Sequence, residues 1–302
     1  MNYQYLISHK ELFPSAVGIT HSQFEKILIK FSRGLRQLEQ LQAARPNRLR
    51  TYGGGRKPTL KSDEEKLLFI MLYYKVYPTF RLAQLLFSLD KRNCQLWKQR
   101  LEKVFASSLD YQLKLPAVRV RFLSQVITIC PGLRDCLVDA TERPINRPKD
   151  PTNQEHYYSG KKKHHTVKNQ IVVNPRNHRI MAVSLTVEGK RHDKKLLEDD
   201  GILLRAPPKS TIVADSGYQG SNEINPLLKF IIPKKKPPNG ELSETDIKAN
   251  RTISSIRVRV EHPFSYLKHF NILAHQFRGR LNQAHQPFVN LACVYNFTRK
   301  NY

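Results

Sequence analysis

The chain lacks the features that mark secreted, zinc-finger and membrane proteins. Its cysteines, Cys94, Cys130, Cys136 and Cys293, form no CxxC pair and no Cys/His cluster with zinc-finger spacing. Its first residues carry no pattern of a secretory signal, so we expect reduced thiols in an intracellular protein. Its longest apolar runs, such as residues 67–74, are too short to span a bilayer, which excludes a transmembrane protein.

Acidic residues are scarce. The chain has 25 Asp and Glu against 51 Lys and Arg, which gives a net charge of +26. A field of this sign and size attracts polyanions, and we expect nucleic acid to be the partner. Hydrophobic residues make up 40% of the 302 residues, so the chain can bury a core. Usual domain sizes predict one large domain with one or two smaller ones.

The amino-terminal part has helical periodicity and then a basic linker. Apolar residues recur at three- and four-residue spacing from Phe24 to Leu41, which predicts an amphipathic helix with a break near Gly34 in an N-terminal helical segment, residues 1–44. Its apolar stripe suits packing, DNA binding or subunit contact. Residues 45–61 contain three successive glycines and no acid, which indicates a mobile basic linker. Arg56 and Lys57 there are candidate DNA contacts.

Residues 62–110 have the pattern of three short helices. Ser62 and Glu65 form the sequence signature of a capping box, and a tight connection around Asp90 precedes the third helix. The pattern fits a helix-turn-helix DNA-binding domain and a plain helical bundle with a solvated basic face about equally, and the basic charge of the chain favours the helix-turn-helix. The candidate DNA contacts in this domain are Lys91, Arg92 and Lys98.

From residue 136 the periodicity becomes strand-like. Five short runs rich in β-branched residues, CLVDAT, HHTVKNQIVVNP, RIMAVSLTVEG, STIVADS and FIIPKK, are bounded by Pro, Gly and Asn. A helical segment, HDKKLLEDDGILL, separates the third from the fourth. A three-stranded meander, a helix, two strands and a long helix predict a mixed α/β sheet flanked by helices. That order is expected of a ribonuclease H-like domain, which we assign to residues 111–302.

Three carboxylates are the candidate catalytic and metal-binding residues. Asp139 lies at the end of the first strand-like run, Asp215 at the end of the fourth, and Glu261 in a later helix-like segment. The two aspartates would meet if their strands are neighbours. Carboxylates gathered beside a nucleic acid can hold two divalent cations for phosphodiester chemistry. The sequence therefore predicts a two-metal site.

Each carboxylate also has a structural interpretation. Asp139 could pair with Arg143, Asp215 could be a turn residue, and Glu261 could form an i, i+4 pair with Arg257. His192 and Asp193 are typical of a helix start, a role that we favour over metal binding. Arg257 and Lys268 share a helix face with Glu261 and are candidate phosphate contacts, as are Lys161, Lys162 and Lys163.

Several segments of the chain resemble DDE transposases of the IS5 type, in the superfamily that includes the Harbinger-like endonucleases. The matching pieces are VDATERPI, YSGKKKHHTVK, EGKRHDKKLL, VADSGYQG and RVRVEHPFSYLK. In the last, Arg257, Glu261 and Lys268 fit the R(3)E(6)K part of the family signature, whereas Ser254 stands where that signature has Tyr. The resemblance covers most of residues 136–300, and residues 60–105 resemble the helix-turn-helix that precedes the nuclease domain.

The resemblance implies a transposase of an insertion sequence. Asp139, Asp215 and Glu261 would bind two Mg²⁺ ions, and Mn²⁺ is expected to substitute. Cleavage at terminal inverted repeats would be followed by attack of the freed 3′ hydroxyl on target DNA. Duplex DNA would be the partner, with a homodimer or higher assembly on it, in a prokaryotic cytoplasm and associated with the nucleoid. No membrane partner is expected.

Two other functions fit parts of the sequence. The first is a non-catalytic, domesticated DNA-binding relative, which the retention of all three acids does not favour. The second is a ribonuclease H-like nuclease acting on RNA or structured DNA without strand transfer. A helix-turn-helix suits the major groove of B-form DNA and not the deep, narrow groove of RNA, which counts against the second.

Overall fold

The computed structural model describes residues 3–44, 57–109, 135–201 and 206–299. The described residues divide into two units, which we consider separately. Unit 1 contains residues 3–44, 57–109, 268–274 and 286–299, and unit 2 contains residues 135–201, 206–267 and 275–285. Most of the predicted linker, including Arg56, lies outside the described residues. The functional division at residues 44, 61 and 110 stays a prediction.

Both units contain α-helices, which we number in chain order. They are α1 (Tyr3–Ser8), α2 (Phe13–Val17), α3 (His21–Ala43), α4 (Asp63–Val76), α5 (Phe80–Phe87), α6 (Lys91–Leu109), α7 (Pro151–Tyr157), α8 (Asp193–Asp199), α9 (Glu244–Lys268), α10 (Asn271–Ala274) and α11 (His285–Thr298). Short 3₁₀ turns lie at Lys10–Leu12, Ser216–Tyr218, Ser221–Glu223 and Leu281–Gln283. None of the described helices is long and apolar enough to cross a membrane.

Unit 1 is built around α4. Ser62 accepts from the Glu65 amide at 3.2 Å and the Glu65 carboxylate accepts from the Ser62 amide at 3.3 Å, which confirms the predicted capping box. Every side chain from Lys66 to Tyr74 is buried, because α4 is surrounded by other helices. Its contacts with α2, α3, α6 and α10 make it the central helix of the unit.

The predicted break in α3 is wrong. The helix runs unbroken from His21 to Ala43, and Thr20 and Gln23 form a capping box at its start. Gly34 serves packing instead, because a Cβ at this position would lie 2.1 Å from the Ser108 Oγ of α6. The missing side chain lets α3 and α6 approach each other closely.

The carboxy-terminal helix α11 confirms the predicted packing helix, and its packing is in unit 1. Asn290 is fully buried and donates to the Tyr74 hydroxyl at 2.9 Å and to the Glu102 carbonyl at 3.2 Å. Tyr74 in turn donates to the Glu102 carboxylate at 3.2 Å. These bonds tie α4, α6 and α11 through their buried polar groups.

Unit 2 contains a curled mixed sheet. Its strands are β1 (Asp135–Pro144), β2 (Tyr158–Ser159), β3 (His164–Val173), β4 (Ile180–Val183), β5 (Val187–Glu188), β6 (Thr211–Ala214) and β7 (Lys229–Ile231). The order is β2-β3-β1-β6-β7, with β4 and β5 both paired to β3. β1 is antiparallel to β3 and parallel to β6, which is parallel to β7.

The predicted mixed α/β class and its element order are confirmed. The predicted helix after the third run is α8, and the apolar strand residues pack with Leu197 and Tyr218 into the core of the unit. One boundary differs from the prediction. The long helix α9 begins at Glu244, inside the segment expected to be a polar excursion, because the Ser243 hydroxyl accepts from the Asp246 amide at 3.1 Å and caps it.

Candidate active site

Asp139 and Asp215 lie side by side at the same end of two parallel strands. Val138 of β1 is the register partner of Ala214 of β6, so each aspartate is the next residue on its chain. The 76 residues that separate them in the sequence (215 minus 139) are therefore bridged by strand pairing. β1 and β6 are therefore neighbours, which the sequence alone left open.

Local hydrogen bonds orient both carboxylates. Oδ1 of Asp139 accepts from the Ala140 amide at 2.8 Å, and Oδ1 of Asp215 accepts from the Ser216 amide at 2.6 Å. Asp215 also caps the 3₁₀ turn that follows it, so the turn role expected from its sequence context coexists with its place in the site. Among the described residues, no such local bond reaches the second carboxylate oxygen of either aspartate.

Arg257 of α9 reaches this pair of acids. Its Nη1 lies 3.2 Å from Oδ1 of Asp215, and the two side chains are 23% and 36% exposed. Its buried Nε has no hydrogen-bond partner among the described residues. Arg257 is therefore a half-buried cation directed at the acids from the helix that carries Glu261.

The electrostatics are those of a crowded acidic site. Burial, followed by the charges of Asp215 and Asp193, raises the pKa of Asp139 from 3.8 to about 6, against the lowering effects of the Ala140 amide and Arg257. Tyr218 is buried beneath the site and donates to Oε1 of Gln170 at 2.9 Å. Burial and the nearby aspartates raise the pKa of Tyr218 well above its ordinary value.

Asp193 is a site neighbour that the sequence did not assign to the site. It is the first residue of α8, as its pattern predicted, and it also accepts from Nζ of Lys168 at 2.8 Å. Gly217 lets the Asp193 carboxylate lie close to the turn that follows Asp215, since a Cβ at residue 217 would lie 3.1 Å from Oδ2 of Asp193. Lys168 is buried and also lies 3.7 Å from the Glu142 carboxylate. The sequence did contain a signal for this role, because Asp193 follows a strand-like run and lies beside basic residues.

Glu261 lies apart from the two aspartates. It is exposed on α9, one turn beyond Arg257, and the i, i+4 pair that was its structural alternative is replaced by the pair of Arg257 with Asp215. In residues 3–44, 57–109, 135–201 and 206–299, no three His, Cys, Asp or Glu side chains are grouped closely enough to hold one metal ion. The structure therefore joins Asp139, Asp215 and Arg257 and leaves Glu261 outside.

The predicted DNA contacts are mostly at the surface. Lys57, Lys91, Arg92, Lys161, Lys162, Lys163 and Lys268 are exposed. The prediction that Lys98 contacts DNA is corrected by the structure. Its side chain is 6% exposed, and its Nζ lies 2.9 Å from Oε2 of Glu102. The apolar side of α6 buries this pair within unit 1, so the Lys98 ammonium is not presented to DNA.

The donor set fits a divalent cation. Asp139 and Asp215 present adjacent carboxylates, and oxygen ligands are those that Mg²⁺ takes in proteins. Burial and the neighbouring acids raise the pKa of Asp139, and a cation bound beside it would favour its ionised form. Two carboxylates are an incomplete set for two ions, and Glu261 would have to approach to complete it.

Comparison with known proteins places the chain in a family. The family model described as DDE superfamily endonuclease matches residues 138–295. A protein of Microchaete diplosiphon, named as a probable transposase for insertion sequence element IS702, is 30% identical over 243 residues, or 80% of this chain and 83% of the relative. A protein of Streptomyces albus G, named as a transposase for insertion sequence element IS112, is 24% identical over 77% of this chain and 79% of the relative.

No solved structure matches the chain. The family match covers β1 from Val138, both strand-end aspartates, α9 and most of α11. The matched range therefore includes the residues of the site described above. The chain belongs to the DDE superfamily of endonucleases, and its resemblance to transposases of insertion sequences is confirmed.

Proposed function

We propose that this protein is the transposase of an insertion sequence, which binds the terminal inverted repeats of its element and cleaves and transfers their strands. The observation that carries the proposal is the pairing of Asp139 and Asp215 at the ends of neighbouring parallel strands, with Arg257 directed at them. The transposase names of the relatives and the net charge of +26 support DNA as the substrate.

The metal requirement follows from the family and the donor set. Endonucleases of the DDE superfamily depend on divalent metal ions. We propose two Mg²⁺ ions, replaceable by Mn²⁺, held by Asp139, Asp215 and Glu261. When bound, such ions activate the attacking oxygen and stabilise the leaving oxygen at a phosphodiester.

The backbone amides and side chains of the protein position the reacting groups. The Ala140 and Ser216 amides fix the two aspartates, so that their second oxygens remain available at the strand ends. Arg257 supplies a half-buried positive charge next to Asp215, where a scissile phosphate would add negative charge. In the proposal, Glu261 joins this site when α9 adjusts to the bound DNA, because it follows Arg257 by one helical turn.

The remaining parts of the proposal concern DNA binding and assembly. We assign residues 62–110 to a helix-turn-helix that reads the terminal repeat and residues 111–302 to a ribonuclease H-like catalytic domain. Lys57, Lys91, Arg92, Lys161, Lys162, Lys163 and Lys268 would contact phosphates, because each is exposed, and Arg56 is proposed from its sequence context. A homodimer or higher assembly would bring two element ends together, in the cytoplasm at the nucleoid.

Cleavage of a labelled duplex tests the proposal. The duplex carries the element's terminal inverted repeat, and the protein is incubated with it and Mg²⁺ beside Asp215→Asn. Nicking at the repeat boundary that requires the metal and Asp215, followed by joining to a second duplex, is the expected result. Binding without cleavage by the wild type would indicate the non-catalytic relative, and cleavage of RNA hybrids alone would indicate the nuclease.

A further inference from the structure

A groove in unit 2, separate from the strand-end aspartates, has the composition of a nucleotide site. It encloses about 620 Å³ and is lined by Arg147, Gln154, Glu155, Tyr158, Gly160, His165 and Lys190. A volume in this range is typical of small-molecule and cofactor pockets. None of its lining residues takes part in the site described above.

The groove offers an aromatic surface for a base. The Tyr158 side chain is 42% exposed, and its ring centroid lies 5.6 Å from that of His165 in an edge-to-face arrangement. The backbone pairing of Tyr158 with His165 joins β2 to β3 and fixes both rings. Gly160 leaves the neighbouring space open, since a Cβ there would meet no atom within 4 Å.

The rim of the groove offers cations for a phosphate. Arg147 donates to Oε1 of Gln154 at 2.9 and 2.7 Å, which holds its guanidinium beside the opening. Lys190 pairs with Glu155, the one acid in the lining, at 2.6 Å, and its ammonium has further N–H groups that could donate to a phosphate. Next to Gly160 the hairpin turn carries the exposed Lys161, Lys162 and Lys163. A strand backbone crossing this turn would meet three lysine side chains.

We infer that this groove binds an unpaired nucleotide of a DNA strand, with its base stacked on Tyr158 and its phosphate held by Arg147, Lys190 and the lysine turn. Base stacking on an exposed aromatic ring beside a basic track is how single strands are bound without base readout. The inference rests on the proposed function only for the origin of that strand, which would be the end of the element or its flank.

The position of the groove suits such a strand. From Asp139 to Pro144, where β1 ends, five residues of extended chain span roughly 17 Å. Arg147 lies three residues beyond Pro144. Segment 187–193 carries Lys190 at the groove and Asp193 at the acidic site, so both lie along one side of β3. A duplex with its scissile phosphate at the aspartates would thus reach the groove after roughly five to eight base pairs.

The test measures binding of the full chain in EDTA, where no cleavage occurs. The probes are a blunt duplex and the same duplex with a short single-stranded tail containing 2-aminopurine, whose fluorescence is quenched by stacking. The wild type should prefer the tailed probe and quench it. Tyr158→Ala should lower tail affinity by roughly 10-fold or more and abolish quenching, with blunt-duplex affinity unchanged, whereas Tyr158→Phe should retain both.

Charge variants and a competitor complete the test. Lys190→Gln should weaken tail binding more than Lys229→Gln, which removes another exposed charge, from β7. Equal affinity losses for both probes in Tyr158→Ala, or none, would overturn the inference. Displacement of the tail by a free mononucleotide would also overturn it, because the groove would then be a site for a free nucleotide. If the wild type binds the tailed probe through its tail but does not bind the blunt duplex, the inference about the groove is supported and the transposase proposal fails. If it binds both probes equally, the transposase proposal is supported and the inference about the groove fails.

Discussion

Arg257 of α9 and Asp215 at the end of β6 form an ion pair of 3.2 Å that links the long helix to the acidic strand ends. The pair brings one positive charge to two carboxylates that strand pairing has already placed together. The same helix carries Glu261, one turn further on. The relationship between α9 and the sheet is therefore central to how this site would become active.

Replacing Arg257 separates its catalytic from its structural role. The ion pair is partly exposed, so Arg257→Ala should cost no more than about 1 kcal/mol of stability. Cleavage of the terminal-repeat duplex should fall by roughly 100-fold or more, because the phosphate loses a cation in a partly desolvated site. Arg257→Lys should recover part of the activity. Thermal melting and single-turnover cleavage measure the two effects, and equal cleavage by wild type and Arg257→Ala would contradict the assignment.

Asp139→Asn should alter the pH dependence of stability in metal-free protein. Because its pKa rises from 3.8 to about 6 on folding, this acid favours the folded state at low pH, and that contribution is lost as pH rises through about 6. Asp139→Asn should therefore melt at a higher temperature than wild type at pH 8 in EDTA, with a smaller difference at pH 4.

Added Mg²⁺ should reverse that order. Binding to the folded state raises the melting temperature of the wild type at pH 8, and the variant should gain much less because it lacks one ligand. A pH-independent melting difference between the two proteins, or equal stabilisation of both by Mg²⁺, would show that Asp139 is neither the perturbed acid nor a ligand.

Glu261→Gln tests whether an exposed residue is catalytic. The side chain has no ion-pair partner among the described residues, so its replacement should change the melting temperature very little. Cleavage should nevertheless be abolished if Glu261 completes the metal site on DNA. Glu244→Gln, on the exposed first turn of the same helix, is the matched control and should cleave normally. Normal cleavage by Glu261→Gln would remove Glu261 from the proposal.

Lys98 and Lys91 should differ in DNA binding although both lie on α6. Lys91→Gln removes an exposed charge and should reduce the slope of binding affinity with salt by about one unit. Lys98→Met should leave that slope unchanged. It should cost about 3–5 kcal/mol of stability, because Glu102 is left as a buried, uncompensated charge. Anisotropy titrations at several salt concentrations and thermal melts of both variants distinguish the two roles.

Gly34→Ala should destabilise unit 1. A Cβ would lie 2.1 Å from Oγ of Ser108 and 3.3 Å from the Val104 carbonyl, and such overpacking costs about 1–3 kcal/mol. The higher helix propensity of Ala offsets roughly 1 kcal/mol of this. Ser108→Ala removes the nearest atom, so the double variant should be more stable than Gly34→Ala alone. Melting curves of the four proteins in this cycle measure the coupling.

The sequence determined the local structure well, because the signals are local. Ser62 and Glu65 are three residues apart and form their capping box, and the β-branched runs around Asp139 and Asp215 became β1 and β6. The break at Gly34 was wrong, since helix propensity alone cannot show that α6 packs against that position. The prediction for Lys98 was wrong for a similar reason. A basic side chain on a helix was taken as exposed, whereas Lys98 is buried in an ion pair with Glu102.

By itself, then, the sequence determined the charge of the protein, its element order, its family motifs and the acids that could bind metal. Only the tertiary structure decided which of these side chains meet. Strand pairing placed Asp139 beside Asp215, and α9 aligned Arg257 with them and left Glu261 at the surface. The packing also placed Asp193 next to the acidic site and Tyr158 in the lining of a groove. Contacts between residues far apart in the sequence depend on how the elements pack, which short-range patterns do not contain.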